Sequence, residues 1–154
     1  MQQKSLLRNI IATTAVIGII FSTVSLSEAK NSIDGESMAL RKIMNELGKD
    51  MQSVTDAISR EEWLRVAEIA LQIAEHPQPP IGEKMRILSF VGSDAGKFKE
   101  FDKQTHDAAK AMESAAKLGN GQAVIESFST LQTKCLACHQ NFREEFLEHF
   151  YNKR

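Results

Sequence analysis

Four apolar stripes, each spaced by alternating fours and threes, confine this chain to packed helices. The first runs through Leu40, Met44, Leu47, Met51, Val54 and Ile58. It is an a/d seam, and it predicts a helix from about Ile33 to Ser59. Ser59 followed by Glu62 has the capping-box pattern, so a second helix is expected to start there. Its buried face would use Trp63, Val66, Ala67, Ala70, Ile73 and Ala74, with Trp63 as a core anchor. Pro77, Pro79 and Pro80 forbid its continuation, since proline lacks the amide a helix needs. The third stripe is Phe98, Phe101, Thr105, Ala108, Met112 and Ala115, stopped at Gly119-Asn120-Gly121. The fourth is Val124, Phe128, Leu131, Cys135, Cys138 and Phe142, extending toward Phe146. Ile81 to Ser93 is the least regular stretch. Met85, Leu88 and Val91 would make one short helix, or the segment would wrap across a bundle end. Low aromatic content, 6%, and the absence of a long β-branched alternating run after residue 30 point the same way. The expected fold is all-α, an antiparallel four-helix bundle over residues 30–154.

Residues 1–29 stand apart from that fold. Lys4 and Arg8 precede an uncharged, mostly apolar run from Ile10 to Val24, and Ser27-Glu28-Ala29 offers small residues for cleavage. This is the three-part pattern of a secretory signal peptide, cleaved after Ala29. The alternative is a membrane anchor, but the run is short for a full span. Removing Lys4, Arg8 and Glu28 moves Lys+Arg from 19 to 17 and Asp+Glu from 20 to 19, so the formal charge goes from −1 to −2. That near-neutral balance argues against a nucleic-acid partner.

The chemistry concentrates in Cys135-Leu136-Ala137-Cys138-His139. It holds the chain's two cysteines, three apart, with a histidine next door. This spacing reads as covalent attachment of a c-type haem. The thiols would form thioethers to the vinyl groups, and His139 would give the iron its proximal nitrogen. A structural zinc site would need four ligands, and there is no second cysteine pair. A thioredoxin-like pair would follow a strand, and no strand pattern precedes it. An exported disulfide over this spacing on a regular helix would be strained. Because Cys135 and Cys138 lie on the core stripe and His139 is one turn beyond Cys135, the haem is expected to enter the bundle interior. Ala67, Ala70, Ala74, Ala108, Ala109, Ala115 and Ala116 would leave it room. Arg143, one turn on, is read first as a solvated arginine; the alternative is that its charge helps keep His139 a neutral donor.

A haem motif on the last helix of an exported four-helix domain resembles the cytochrome c-prime family, the class II c-type cytochromes. Cytochrome c-prime is itself a standing example of such a bundle. The resemblance covers essentially residues 33–151. It is strongest at Cys135-Leu-Ala-Cys138-His139-Gln-Asn-Phe142-Arg143 and recurs at Ile43-Met44-Asn-Glu-Leu47-Gly48-Lys-Asp-Met51. The second segment is similar to the family helix that faces the distal side of the haem. The family often carries an arginine four residues before its distal-ligand position; here that position is Leu40 and the arginine is Arg41. The resemblance implies one covalent haem c and makes Met44 the candidate sixth ligand, a soft thioether that raises the reduction potential. Met51, two turns on, is read as core.

The expected function is electron transfer in the periplasm, with redox proteins as partners and no enzymatic activity. No nucleophile–base pair or carboxylate dyad stands out. If Met44 only packs, the alternative is a five-coordinate haem protein that binds nitric oxide or carbon monoxide. A third reading is a helical interaction or metal-binding module without haem. Contact with a membrane would come only through an uncleaved signal segment. The charged outer faces of the first two helices, through which family members dimerise, fit a monomer or weak homodimer. His76 is read as a surface or capping histidine, with a place at the haem edge or as an alternative ligand as the less favoured roles. His106 and His149 are read as exposed or structural.

Overall fold

A computed structural model describes residues 38–151. The expected signal segment over residues 1–29, and the expected first helical turn from Ile33, lie outside these residues. The elements are α1 (Ala39–Ser59), α2 (Trp63–Ala74), α3 (Ile81–Val91), a single 3₁₀ turn at Gly92–Asp94, α4 (Ala95–Lys117) and α5 (Gly121–Tyr151). The described residues contain no strand. Among them, no helix is long and apolar enough to cross a membrane.

The long helices α1, α2, α4 and α5 form the expected antiparallel bundle. Their ends fix the directions. Arg41, near the start of α1, lies 5.0 Å from the ring centre of Tyr151 at the end of α5. Trp63, at the start of α2, meets Gly121 at the start of α5. A β-carbon on Gly121 would come within 2.9 Å of that indole, so only glycine lets the two helices approach there. Packing runs α1 on α2, α2 on α4 and α4 on α5. Helices α1 and α5 do not pack closely on each other.

The stripes account for most of the core. Val54, Ala57, Val66, Ala67, Ala70, Ile73, Ala74, Ala108, Met112, Val124 and Leu131 form the larger apolar cluster, with Ile69 added to α2's buried face. A smaller cluster joins Met38, Ile87, Phe142 and Phe146, with Leu40, Phe90, Phe98, Phe101 and Cys138 against it. Its aromatic rings meet edge-on, as in Phe90–Phe146 and Phe98–Phe142, each at 5.3 Å. This geometry sets the positive ring edge against the negative face.

The segment from Ile81 is a helix, but it presents a different face from the one expected. Ile87 is its buried residue and Met85 points outward. The ring cluster draws in Ile87, Phe90 and Val91, and so sets α3's rotation. α3 also decides where α1 begins. Glu83 accepts hydrogen bonds from the Ala39 and Leu40 amides, at 2.8 and 2.7 Å. A carboxylate at two first-turn donors satisfies them and complements the helix dipole. Among the described residues the helix opens at Ala39, with Met38 in extended backbone before it.

The corner after α1 departs from the capping box. Ser59 remains inside α1, and its hydroxyl donates to the Thr55 carbonyl. Glu62 precedes α2 without a side-chain cap. The turn is instead a Schellman closure: the Glu61 amide donates to Ile58 O and the Glu62 amide to Ala57 O. Glu61 sits at φ 56°, the left-handed slot usually given to glycine. After α4 the same closure recurs with glycine in that slot, Gly119 at φ 64°. The mismatch predicts that Glu61→Gly stabilises the fold by about 0.5–1 kcal/mol. Chemical denaturation should show a higher midpoint at unchanged slope, and a lower midpoint would contradict this reading.

Candidate haem site

Cys135 and Cys138 emerge on successive turns of α5, and they join different parts of the core. Cys135 packs against the larger cluster and Cys138 against the ring cluster. α1 crosses between the same clusters, since Leu40 belongs to the ring cluster and Leu47 and Met51 to the larger one. Met44 lies between them on the stripe, at the level where α5 carries the cysteines. α1 and α5 are also the pair that does not pack closely. The two stripes thus face a seam that opens between these helices.

Met44 departs from the expected burial of its stripe. It is 39% exposed and joins neither cluster, while Ile43 is buried beside it. With α5 held off, a side chain at the seam has no apolar partner across from it. Met51 packs against the larger cluster, as expected.

Both thiols are free of a disulfide and half-buried. Burial raises the Cys135 pKa. Burial, then the neighbouring Cys135 and the charge of Asp102, push Cys138 up to about 11. At neutral pH both are therefore protonated thiols. A redox-active Cys-x-x-Cys pair depends on a depressed pKa, and these shifts go the opposite way. Among the described residues, no three His, Cys, Asp or Glu side chains gather to hold a metal ion.

His139 lies beside the buried stripe rather than on it, and it is more exposed than the thiols. Partial desolvation and then the positive charge of Arg143 lower its pKa. The imidazole is thereby kept as the neutral form that can donate a lone pair. Two uncharged thiols and a neutral imidazole within one turn, at the edge of an apolar seam, fit a covalently held haem. Cys135, Cys138 and His139 would hold it from α5. Met44 is the thioether that α1 offers at that level.

His76 takes the capping place at the end of α2 that was expected for it, and makes a further contact besides. Its Nδ1 is 3.0 Å from the Ile73 carbonyl and its Nε2 is 3.4 Å from the Asp102 carboxylate. Both ring nitrogens are engaged, which leaves neither free to act as an alternative iron ligand. The contact with Asp102 raises the His76 pKa, partial burial opposes it, and the Ile73 carbonyl adds to the rise. The same contact lowers Asp102. The pair's stabilisation is thus complete below the ordinary histidine pKa and fades as pH rises through the raised value; on the acid side it is lost as Asp102 protonates. No sequence signal links positions so far apart. His106 is paired with Asp107, and His149 stacks on Phe90 at 4.2 Å, so both fit the exposed or structural reading.

His76 also lines a cavity of about 720 Å³ between the first half of α1 and the end of α2. Ile43, Leu47 and Leu71 form its apolar wall, and Lys42, Glu46 and Asp50 its charged rim.

Neither the curated proteins nor the solved structures compared with the chain hold a match to it. The family model for cytochrome c′ matches residues 37–143. The match takes in the α1 stripe, the whole bundle as far as Arg143, and the Cys135–His139 motif on its last helix. The chain belongs to the cytochrome c′ family, whose cofactor is haem c.

Proposed function

We propose that this protein is an exported monohaem c-type cytochrome that carries electrons between redox proteins of the periplasm. Cys135 and Cys138 hold the haem by thioether bonds, His139 supplies the proximal nitrogen, and Met44 supplies sulfur from the other side. The observation that carries the reading is the seam: α1 at Met44 and α5 at Cys135–Cys138 pass from one apolar cluster to the other at one level, with their backbones further apart than those of the neighbouring pairs. Haem c supplies reversible one-electron chemistry. The chain's part is to surround it. The two clusters exclude water above and below, which lowers the dielectric at the site. Partial burial and then Arg143 favour the form of His139 that donates. Met44 is tied into neither cluster and is free to turn toward the seam. Ligands from two helices of a rigid bundle favour electron transfer, because coordination then need not change with oxidation state. Export rests on the signal-like segment over residues 1–29.

A second reading has its own support. Ile43, not Met44, takes the buried place on α1. If Met44 stays turned outward, one face of the iron is open to nitric oxide or carbon monoxide, and the protein binds gas. An optical spectrum separates the two. With Met44 ligated, the ferric protein is low-spin, and Met44→Ala converts it to high-spin and opens the ferrous form to carbon monoxide. A spectrum identical in native and variant protein removes Met44 from the site. Rapid carbon monoxide binding by the native ferrous protein selects the gas-binding reading.

A further inference from the structure

We infer that the His76–Asp102 pair is a proton-binding site coupled to the oxidation state of the haem. The inference rests on the haem assignment above and deepens it. His76 lies two residues past the end of α2, just before Pro77, and its side chain is only 10% exposed. A carbonyl and a carboxylate can only accept hydrogen bonds. A ring that donated to both Ile73 O and Asp102 Oδ1 would carry a proton on each nitrogen, so this pair of acceptors favours the imidazolium.

The pair lies at the haem end of the bundle. Asp102 acts electrostatically on Cys138, one of the attachment thiols. Its neighbour Phe101 meets Phe142, one turn past Cys138, at 6.1 Å. His76 shares its cavity with Ile43 and Leu47, the residues on either side of Met44 along the buried part of α1. The pair therefore lies between the helix that would hold the proximal ligand and the helix that would offer the distal one.

The other charged groups around it are few. From α1, Lys42, Glu46 and Asp50 line the same cavity. From α2, Glu75 adjoins His76 and is paired with Lys110 of α4. From α3 and α4, Lys84 and His106 act on Asp102. From α5, Cys138 would carry no titratable proton once it is bound to haem as a thioether. Burial and then Glu46 push Asp50 up, but carboxylates start far below neutrality and lysines far above it, so histidine is the class placed to exchange a proton there. Reduction removes one positive charge from the site and lowers the electrostatic cost of a proton on His76. By linkage, that proton raises the reduction potential.

The test uses the haem-loaded protein. Its midpoint potential is measured by optical titration between about pH 5 and about pH 9, alongside His76→Gln, Asp102→Asn and His106→Gln. The native potential should fall as pH rises through the His76 titration. The fall should vanish in His76→Gln, move to lower pH in Asp102→Asn and persist in His106→Gln. Nuclear magnetic resonance of the His76 ring should show a proton affinity higher by about fivefold in the reduced protein. A flat native potential, or a fall unchanged in His76→Gln, overturns the coupling while leaving the haem assignment intact. A protein that takes up no haem overturns both.

Discussion

Protein carrying Cys135→Ala together with Cys138→Ala should emerge from haem maturation with no covalent haem at all. Each thiol offers one carbon–sulfur bond, and the chain has no third cysteine to substitute. His139 would remain, but an imidazole–iron bond alone does not survive denaturation. The native protein should therefore stain for haem on a denaturing gel and the double variant should not. Each single variant should retain staining through one bond, with a shifted absorbance maximum because one vinyl group stays unsaturated. The consequence reaches packing as well. Cys135 and Cys138 join the two apolar clusters from α5, and α1 does not close over them. Losing the haem leaves that seam wet, and the thermal midpoint should drop with it. A double variant that still stains after denaturation would falsify the assignment of these thiols.

The second large effect lies one turn earlier on the same helix. Leu131 is 0% exposed and belongs to the larger cluster, directly before Cys135 on the stripe. Leu131→Ala removes buried methyl groups and leaves a cavity, and should destabilise the protein by about 3 kcal/mol. The chain around it is helical on all sides and cannot collapse freely into the gap. Equilibrium denaturation should report this as a lower midpoint with the slope preserved. Leu118→Ala is the matched control, because Leu118 is 82% exposed and its loss should change stability by about 0.5 kcal/mol or less. Equal effects at the two positions would mean that the core is not arranged as described.

Much of this was legible in the residues because helical periodicity is a local code. The third and fourth stripes reached the core as expected, and the Cys135–Cys138 pair was visible at its place on the last of them. Gly119 also acted as expected, since a left-handed residue after a helix is a local demand. The capping box at Ser59 was a local signal too, but a competing closure through Glu61 took over the corner. Ser59 was then kept inside α1, where its hydroxyl bonds to Thr55.

The remainder depended on groups distant in sequence. Glu83 caps α1 from 44 residues away in the case of Ala39, and no pattern in the chain announces it. The exposure of Met44 follows from the spacing between α1 and α5, which no property of the α1 stripe contains. His76 met Asp102 only because α2 packs on α4. By itself the sequence determined the helices, the apolar faces of α2, α4 and α5, and the placing of Cys135, Cys138 and His139 on one helix, all set by spacing along the backbone. The tertiary structure alone decided which side chains meet across helices: the open seam at Met44, the cap from α3 and the charge held beside the site. Those contacts are fixed by the packing of distant surfaces.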